Sequence, residues 1–280
     1  METKMSDHDP VAWVGRTETC GDALDPGHVR RVALSLSTDP DQVGEHLPLL
    51  WQWAFFIEGQ PYARLGEDGH PQRGGFLPPA ADRNRMWAGG RLEFHHPLQV
   101  GVPGERRSRI AAVMEKTGRT GQLLFVTVEH HYFQDNVLCI AEEQDIVYRQ
   151  PSPPVLVGTQ TAPEPQWSET VSPDSVMLFR YSAVTFNGHR IHYDAPYARD
   201  VEGYPGLVVH GPLIATLMTH AFLRAHPGAR VRSLAYRGVR PLIAPKPFRV
   251  GGCLQQDGEA TLWAEQDGTL AHQASLRYDS

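Results

Sequence analysis

The run Leu213-Ile214-Ala215-Thr216-Leu217-Met218-Thr219-His220-Ala221-Phe222 puts apolar side chains on more than one face of any helix it forms. Such a helix must be covered on several sides, and no other stretch constrains the fold as strongly. Pro212 suits a first helical turn, because its fixed φ matches the helix and that position needs no N–H donor. His210-Gly211 opens the segment and His226-Pro227-Gly228 closes it. Short alternating segments follow, separated by Asp257-Gly258 and Asp267-Gly268, dipeptides that favour hairpin turns. Residues 171–280 therefore read as one central helix followed by an antiparallel meander.

The first half carries a blurred copy of this order. His46-Leu47-Pro48-Leu49, followed by Leu50, Trp51, Trp53, Phe55 and Phe56, echoes His210-Gly211-Pro212-Leu213 and predicts a buried helix. Pro97-Leu98 with Pro103 echoes Pro241-Leu242 with Pro247. Strand-like runs come next over 107–116, 122–133 and 137–149. The two echoes sit at different offsets, and the Gly- and Pro-rich stretch 59–81 accounts for this as an insertion in the first copy. Residues 150–171, with prolines at 151, 153, 154, 163 and 165, read as an extended linker. The expected organisation is thus 1–150, a linker over 151–170, and 171–280. A buried helix wrapped by a curved antiparallel sheet is the hotdog architecture, and two copies make a double hotdog of the α+β class.

Composition narrows the function. The 26 Lys and Arg against 32 Asp and Glu leave a formal charge of −6, which excludes a strongly basic nucleic-acid binder and a polybasic membrane face. Residues 206–223 are the most apolar, yet His210, Pro212 and His220 interrupt them, so no membrane span is expected. Met1 to Pro10 is polar and carries no apolar signal core. Cys20, Cys139 and Cys253 are odd in number and far apart, unlike a disulfide framework. A reduced, cytoplasmic protein is the expectation. No GxGxxG follows a strand, so no nicotinamide or flavin is expected.

The richest segment is Tyr181-Ser182-Ala183-Val184-Thr185-Phe186-Asn187-Gly188-His189-Arg190-Ile191-His192-Tyr193-Asp194, followed by Val208-Val209-His210-Gly211. It resembles the MaoC-like hotdog enzymes, the (R)-specific enoyl-thioester hydratases and dehydratases, whose pattern is D-x-N-P-x-H followed by a helix opening with H-G. The motif histidine falls on His192, the acidic position on Asn187, and the H-G on His210-Gly211. Within that group the segment is closer to the type 2 hydroxyacyl-thioester dehydratases and to the bacterial mesaconyl-C4-CoA and itaconyl-CoA hydratases. Arg85-Met86-Trp87-Ala88-Gly89-Gly90 also looks like a segment those proteins carry. This sequence departs from the broader pattern in Asn187 for Asp and Arg190 for Pro, which removes a second carboxylate base.

The residues suit the chemistry this implies. Hydration of an enoyl thioester moves a proton at Cα and activates a hydroxyl at Cβ, work for which an imidazole is fitted near neutral pH. His192 is the expected acid/base, and Asn187 can hold the water or orient His192 but cannot act as the base. Backbone N–H groups near Gly211, at the start of the buried helix, can stabilise the enolate-like oxygen, and a glycine there lets the acyl group come close. Arg85 and Trp87 are candidates for phosphate or carboxylate and for adenine or pantetheine. The resemblance adds Tyr193 and His210 to the substrate contacts, and places Arg237, Arg240 and Lys246 beside the CoA or carrier phosphates.

His189, His192 and Asp194 invite a metal reading, but no regular metal-ligand spacing accompanies them, and no metal is expected. The implied function is a hydro-lyase on a short enoyl-CoA, with an acyl-CoA substrate, no nucleic acid or membrane partner, and homodimers of the double unit among the outcomes. A dicarboxylyl-CoA such as itaconyl-CoA or mesaconyl-C4-CoA is the leading substrate, and a 3-hydroxyacyl-carrier-protein dehydratase is an alternative. A hotdog thioesterase is another, although residues 211–224 offer no Asp or Glu to direct water. A non-catalytic acyl-thioester module and a metal-dependent oxygenase complete the set.

Overall fold

A computed structural model describes residues 9–80, 83–118, 121–256 and 258–280. The polar N-terminal segment up to residue 8, the last residue of the 59–81 stretch and Asp257 lie outside them. The first half runs β1 (Thr17–Asp22), α1 (Pro26–Ser35), β2 (Asn84–Phe94), β3 (Gly104–Gly118), β4 (Gly121–Gln134) and β5 (Val137–Arg149). The second runs β6 (Trp167–Val171), α2 (Ser175–Val184), α3 (Ala195–Asp200), β7 (Leu207–Val208), α4 (Gly211–Ala225) and β8 (Arg230–Gly238), then β9 (Ile243–Ala244), β10 (Phe248–Leu254), β11 (Glu259–Gln266) and β12 (Thr269–Asp279).

Ten strands form one antiparallel sheet in the order β1-β3-β4-β5-β2-β8-β12-β11-β10-β6. Outward from the β2–β8 seam, where Gly89 to Glu93 pair with Arg237 to Ser233, each half repeats the same succession of strands. The internal repeat is therefore structural, and it extends to the helix that follows each edge strand. Asp25 caps α1 through the His28 N–H, and Asp174 caps α2 through the Met177 N–H. Asp267 and Gly268 both take positive φ and close the β11–β12 hairpin.

α4 forms as its sequence requires, with Pro212 in its first turn and Leu213, Ile214, Met218, Ala221 and Phe222 buried. Its expected counterpart in the first half does not. There a single 3-10 turn spans Trp51–Ala54, between Leu50 at φ 70° and Phe56 at φ 53°. Two left-handed residues this close leave room for one turn only. The aromatic run still fills the core, with Trp51 and Phe56 almost fully buried, so apolarity is satisfied without a helix. The linker ends earlier than its composition suggests, because Trp167–Val171 pairs with β10 as an edge strand.

Candidate active site

The motif loop after α2 owes its shape to local hydrogen bonds. Thr185 Oγ1 donates to the Tyr181 carbonyl, and Phe186 turns left-handed at φ 50°, which ends the helix. The Asn187 N–H then reaches back to the Ser182 carbonyl at 2.8 Å, while its Oδ1 accepts the His189 N–H at 3.0 Å. Asn187 thus spends its oxygen on an Asx turn, and its amide NH2 is the group left for a ligand. Arg190 pairs with Asp194 at 2.7 Å, and Asp194 caps α3 through the Tyr197 N–H. Asp194 is therefore a scaffold residue rather than a metal ligand. The Tyr193 hydroxyl donates to the Gly188 carbonyl and its ring is exposed, so it braces the loop instead of facing an acyl group.

The His192 ring is buried, and its Nδ1 lies 2.7 Å from the Val208 carbonyl, which the short β7–β9 ladder holds in place. A carbonyl only accepts, so Nδ1 carries the proton and Nε2 presents a lone pair. Burial lowers the His192 pKa to about 4, which keeps the ring neutral near pH 7. His210 stacks on it at 3.7 Å between centroids and 18° between planes. His210 is fully buried, its Nε2 is 2.8 Å from Ser182 Oγ, and burial with the two neighbouring imidazoles holds it far below its ordinary pKa. It backs His192 as a neutral plate.

The stretch read as an insertion reaches this loop. The Asp68 and Glu67 carbonyls accept the Arg190 N–H and guanidinium at 2.9 and 3.1 Å. Gly69, at φ 84°, abuts the Gly188 backbone so closely that any side chain would collide with it. Asp68 Oδ2 lies 3.0 Å from His70 Nδ1, the His70 ring is 4.1 Å from that of His189, and His189 stands edge-on to His192 at 5.4 Å. Asp68 and His70 were not expected at the site. An aperiodic Gly- and Pro-rich stretch says nothing about where it docks, and the single hint was Asp68-Gly69-His70, two residues after Gly66. Asp68, His70 and His189 each offer a donor atom within 4.8 Å of the others, the one such group among the described residues.

The remaining wall comes from the first half. A Cβ on Gly211 would meet the Trp87 ring at 2.5 Å, so Trp87 occupies the space that the sequence reading reserved for the acyl group. Trp87 stacks on Tyr236 at 4.5 Å and meets Trp53 edge-on at 5.5 Å. Trp53 Nε1 and the Tyr132 hydroxyl each donate to the Glu142 carboxylate at 2.8 Å, and burial raises the Glu142 pKa. The first-turn N–H groups of α4, those of Gly211 and Leu213, have no acceptor within the helix. Arg85 sits on β2 two residues before Trp87, opposite Tyr148 of β5.

Three cations expected at the CoA phosphates have other employment. Arg240 is buried and donates to the carbonyls of Leu270 and Thr269 at 3.1 and 2.9 Å and to that of Gln266. It staples the β11–β12 hairpin to the loop after β8. Arg240→Ala should lower stability by about 3 kcal/mol, because several buried carbonyls lose their donor. Denaturant midpoints check this, with KM for the CoA substrate expected to hold. Arg237 is exposed on the strand face opposite Tyr236 and donates to Gln273 Oε1 at 2.7 Å. Lys246 is paired with Asp267 at the surface.

Residues 50–244 match the hydroxyacyl-thioester dehydratase type 2 family. The chain is 46% identical over 253 residues to the mesaconyl-C4-CoA hydratase of Chloroflexus aurantiacus, covering 88% of this chain and 89% of that one. Among solved structures it superposes on a MaoC-like dehydratase from Phytophthora capsici with a TM-score of 0.72, at 14% identity over 97% of this chain and 98% of that one. A double-hotdog protein of Mycobacterium tuberculosis gives 0.57 at 12% identity, covering 98% and 99%. These two likenesses establish the double hotdog fold, and the match over 50–244 with the 46% relative establishes more: the chain belongs to the hydroxyacyl-thioester dehydratase type 2 family.

Proposed function

We propose that this chain is a hydro-lyase that adds water to, and removes it from, a short enoyl-CoA thioester, with mesaconyl-C4-CoA as its substrate. The observation that carries the reading is His192, whose Nδ1–H is fixed on Val208 and whose Nε2 is left as a neutral base beside the start of the buried helix α4. In the hydration direction, Nε2 takes a proton from water as the oxygen bonds to Cβ. The electron pair of the double bond moves onto the thioester, and the enolate-like oxygen faces the N–H groups opening α4. The imidazolium then returns its proton to Cα. Burial against neutral His210 disfavours the charged ring, which speeds that return. The Asn187 NH2, whose oxygen is already engaged by the His189 N–H, donates a hydrogen bond to the attacking water and orients it.

Among the described residues no helix is long and apolar enough to cross a membrane. Cys20, Cys139 and Cys253 are free thiols, which fits the reducing cytoplasm. The test is loss of conjugated-thioester absorbance with mesaconyl-C4-CoA, itaconyl-CoA and crotonyl-CoA in parallel, and with a crotonyl carrier protein as a fourth substrate. Turnover fastest with mesaconyl-C4-CoA is expected. Release of free thiol, or turnover confined to the carrier-bound substrate, would overturn the assignment.

A further inference from the structure

The corner formed by Asp68, His70 and His189 holds more positive than negative charge. Arg85 faces Tyr148, its partner in the β2–β5 register, and its charge bears on the phenol. Arg73, anchored on the Ala80 carbonyl, adds a second guanidinium whose charge bears on Arg85 and His70. Burial pushes the His70 pKa down to about 4 and holds His189 lower still, so both rings are neutral near pH 7. Asp68 is committed to His70 at 3.0 Å. The next acidic group, Glu202, accepts the Asn84 amide at 3.0 Å and faces Arg149. Among the described residues no carboxylate reaches salt-bridge distance of Arg85. Asp68 acts on Arg85 from a distance without pairing with it, and a half-buried guanidinium lacking a direct carboxylate partner is costly, while a planar carboxylate suits its fork.

The corner adjoins the reacting centre. The His189 ring stands between His70 and His192, at 4.1 and 5.4 Å. A thioester whose Cβ lies against His192 presents the substituent on that carbon to this side. We infer that Arg85, steadied by Tyr148 and reinforced by Arg73, is the receptor for a carboxylate borne on Cβ, the second carboxylate of a C4 dicarboxylyl-CoA. The inference rests on the hydratase reading for the placement of the thioester. The two guanidiniums also set this corner against the rival occupant, a dication held by Asp68, His70 and His189, since like charges repel strongly where water is excluded. A substrate ending in methyl would leave Arg85 unpaired, and discrimination would follow from that penalty.

Succinyl-CoA and butyryl-CoA test this without any turnover, because they differ in carboxylate against methyl on Cβ and neither has a double bond to hydrate. Titration calorimetry of the full chain should show succinyl-CoA binding about 10–100-fold tighter, the range for one charge-assisted pair. Arg85→Gln should abolish the preference while butyryl-CoA affinity stays within a few-fold, and Arg85→Lys should restore part of it. Tyr148→Phe, which leaves the charge in place, should reduce the preference without removing it. Equal binding of the two thioesters by the unmodified chain, or a preference that survives Arg85→Gln, would overturn the proposal. So would stoichiometric zinc uptake that Asp68→Asn abolishes. A clear succinyl preference in a chain that hydrates neither mesaconyl-C4-CoA nor crotonyl-CoA would keep the carboxylate site and discard the hydratase reading.

Discussion

His192→Ala should lower kcat/KM for enoyl-thioester hydration by about 10²–10⁴-fold, the range for loss of a positioned acid–base group. The expectation depends on the tautomer rather than on the presence of an imidazole. The Val208 carbonyl at 2.7 Å fixes the proton on Nδ1, so all of the ring's basicity is directed to Nε2. His210, although stacked on it, has its Nε2 against Ser182 and cannot substitute. His192→Gln, which keeps a hydrogen-bonding side chain but no base, should be as impaired as His192→Ala. The rate should be nearly flat from pH 8 down to about 6, because a group with a pKa lowered to about 4 stays deprotonated over that span. Substrate disappearance at saturating and limiting concentrations separates kcat from KM. Activity in either variant above a tenth of the parent would place the base elsewhere.

Stability should collapse on mild acidification, between pH 6 and pH 4. Burial lowers the pKa of His70, His192, His220 and His272 to about 4 and that of His130 to about 3, each from an ordinary value of 6.5. Unfolded, these rings bind protons as the pH drops through 6.5, whereas folded they do so only near 4. The unfolded state therefore holds more protons throughout that window, and stability falls as pH falls. Each ring contributes a loss of about 3 kcal/mol once the pH is below its folded pKa. Two or three together match the roughly 5–15 kcal/mol that holds a domain folded. Glu18 opposes this: burial and the neighbouring Glu58 raise its pKa to about 7, so its protonation below pH 7 favours the folded state. Burial raises the Glu142 and Glu202 carboxyls as well, so three carboxylates work against five imidazoles and the likewise lowered His189 and His210, and the net sign is acid-labile. Melting temperature against pH should be level above 6.5 and drop steeply below 6. His220→Gln, away from the reacting centre, should soften the slope. A melting temperature unchanged at pH 4.5 would contradict the argument.

Much of this architecture was legible because certain residues have few alternatives. Pro212 with the all-round apolar run behind it had to open a buried helix, and Asp267-Gly268 had to turn a hairpin. The motif loop was legible through its residue types, since Asn187, His189 and His192 fall where a resemblance could be read. The first-half helix failed for a definite reason. The period of Trp51, Trp53, Phe55 and Phe56 reports burial, but the left-handed turns at Leu50 and Phe56 are decided by tertiary packing that no local pattern encodes. Arg240, read as a phosphate contact, illustrates the converse error, because a cation beside a turn can satisfy carbonyls as readily as an anion. Asp68 and His70 were missed because loop docking is a long-range event, settled here by backbone contact between Gly69 and Gly188.

That contact bears on how such a molecule came to be and how it could be re-engineered. Two identical single units side by side would each lend a covering loop to the other and hold two equivalent reaction centres. Joined in tandem, they need only one of each, and the redundant parts are free to decay. The first half lacks the long helix and the N-x4-H pattern, yet it brings Asp68 and His70 beside His189 and Trp87 against Gly211 of the second half. On the proposed reading, acid–base chemistry falls to the second half and acyl recognition to the first. Exchanging the module before the Pro-rich segment at 150–166 for that of a relative should transplant the choice of acyl group while leaving the proton-transfer apparatus untouched.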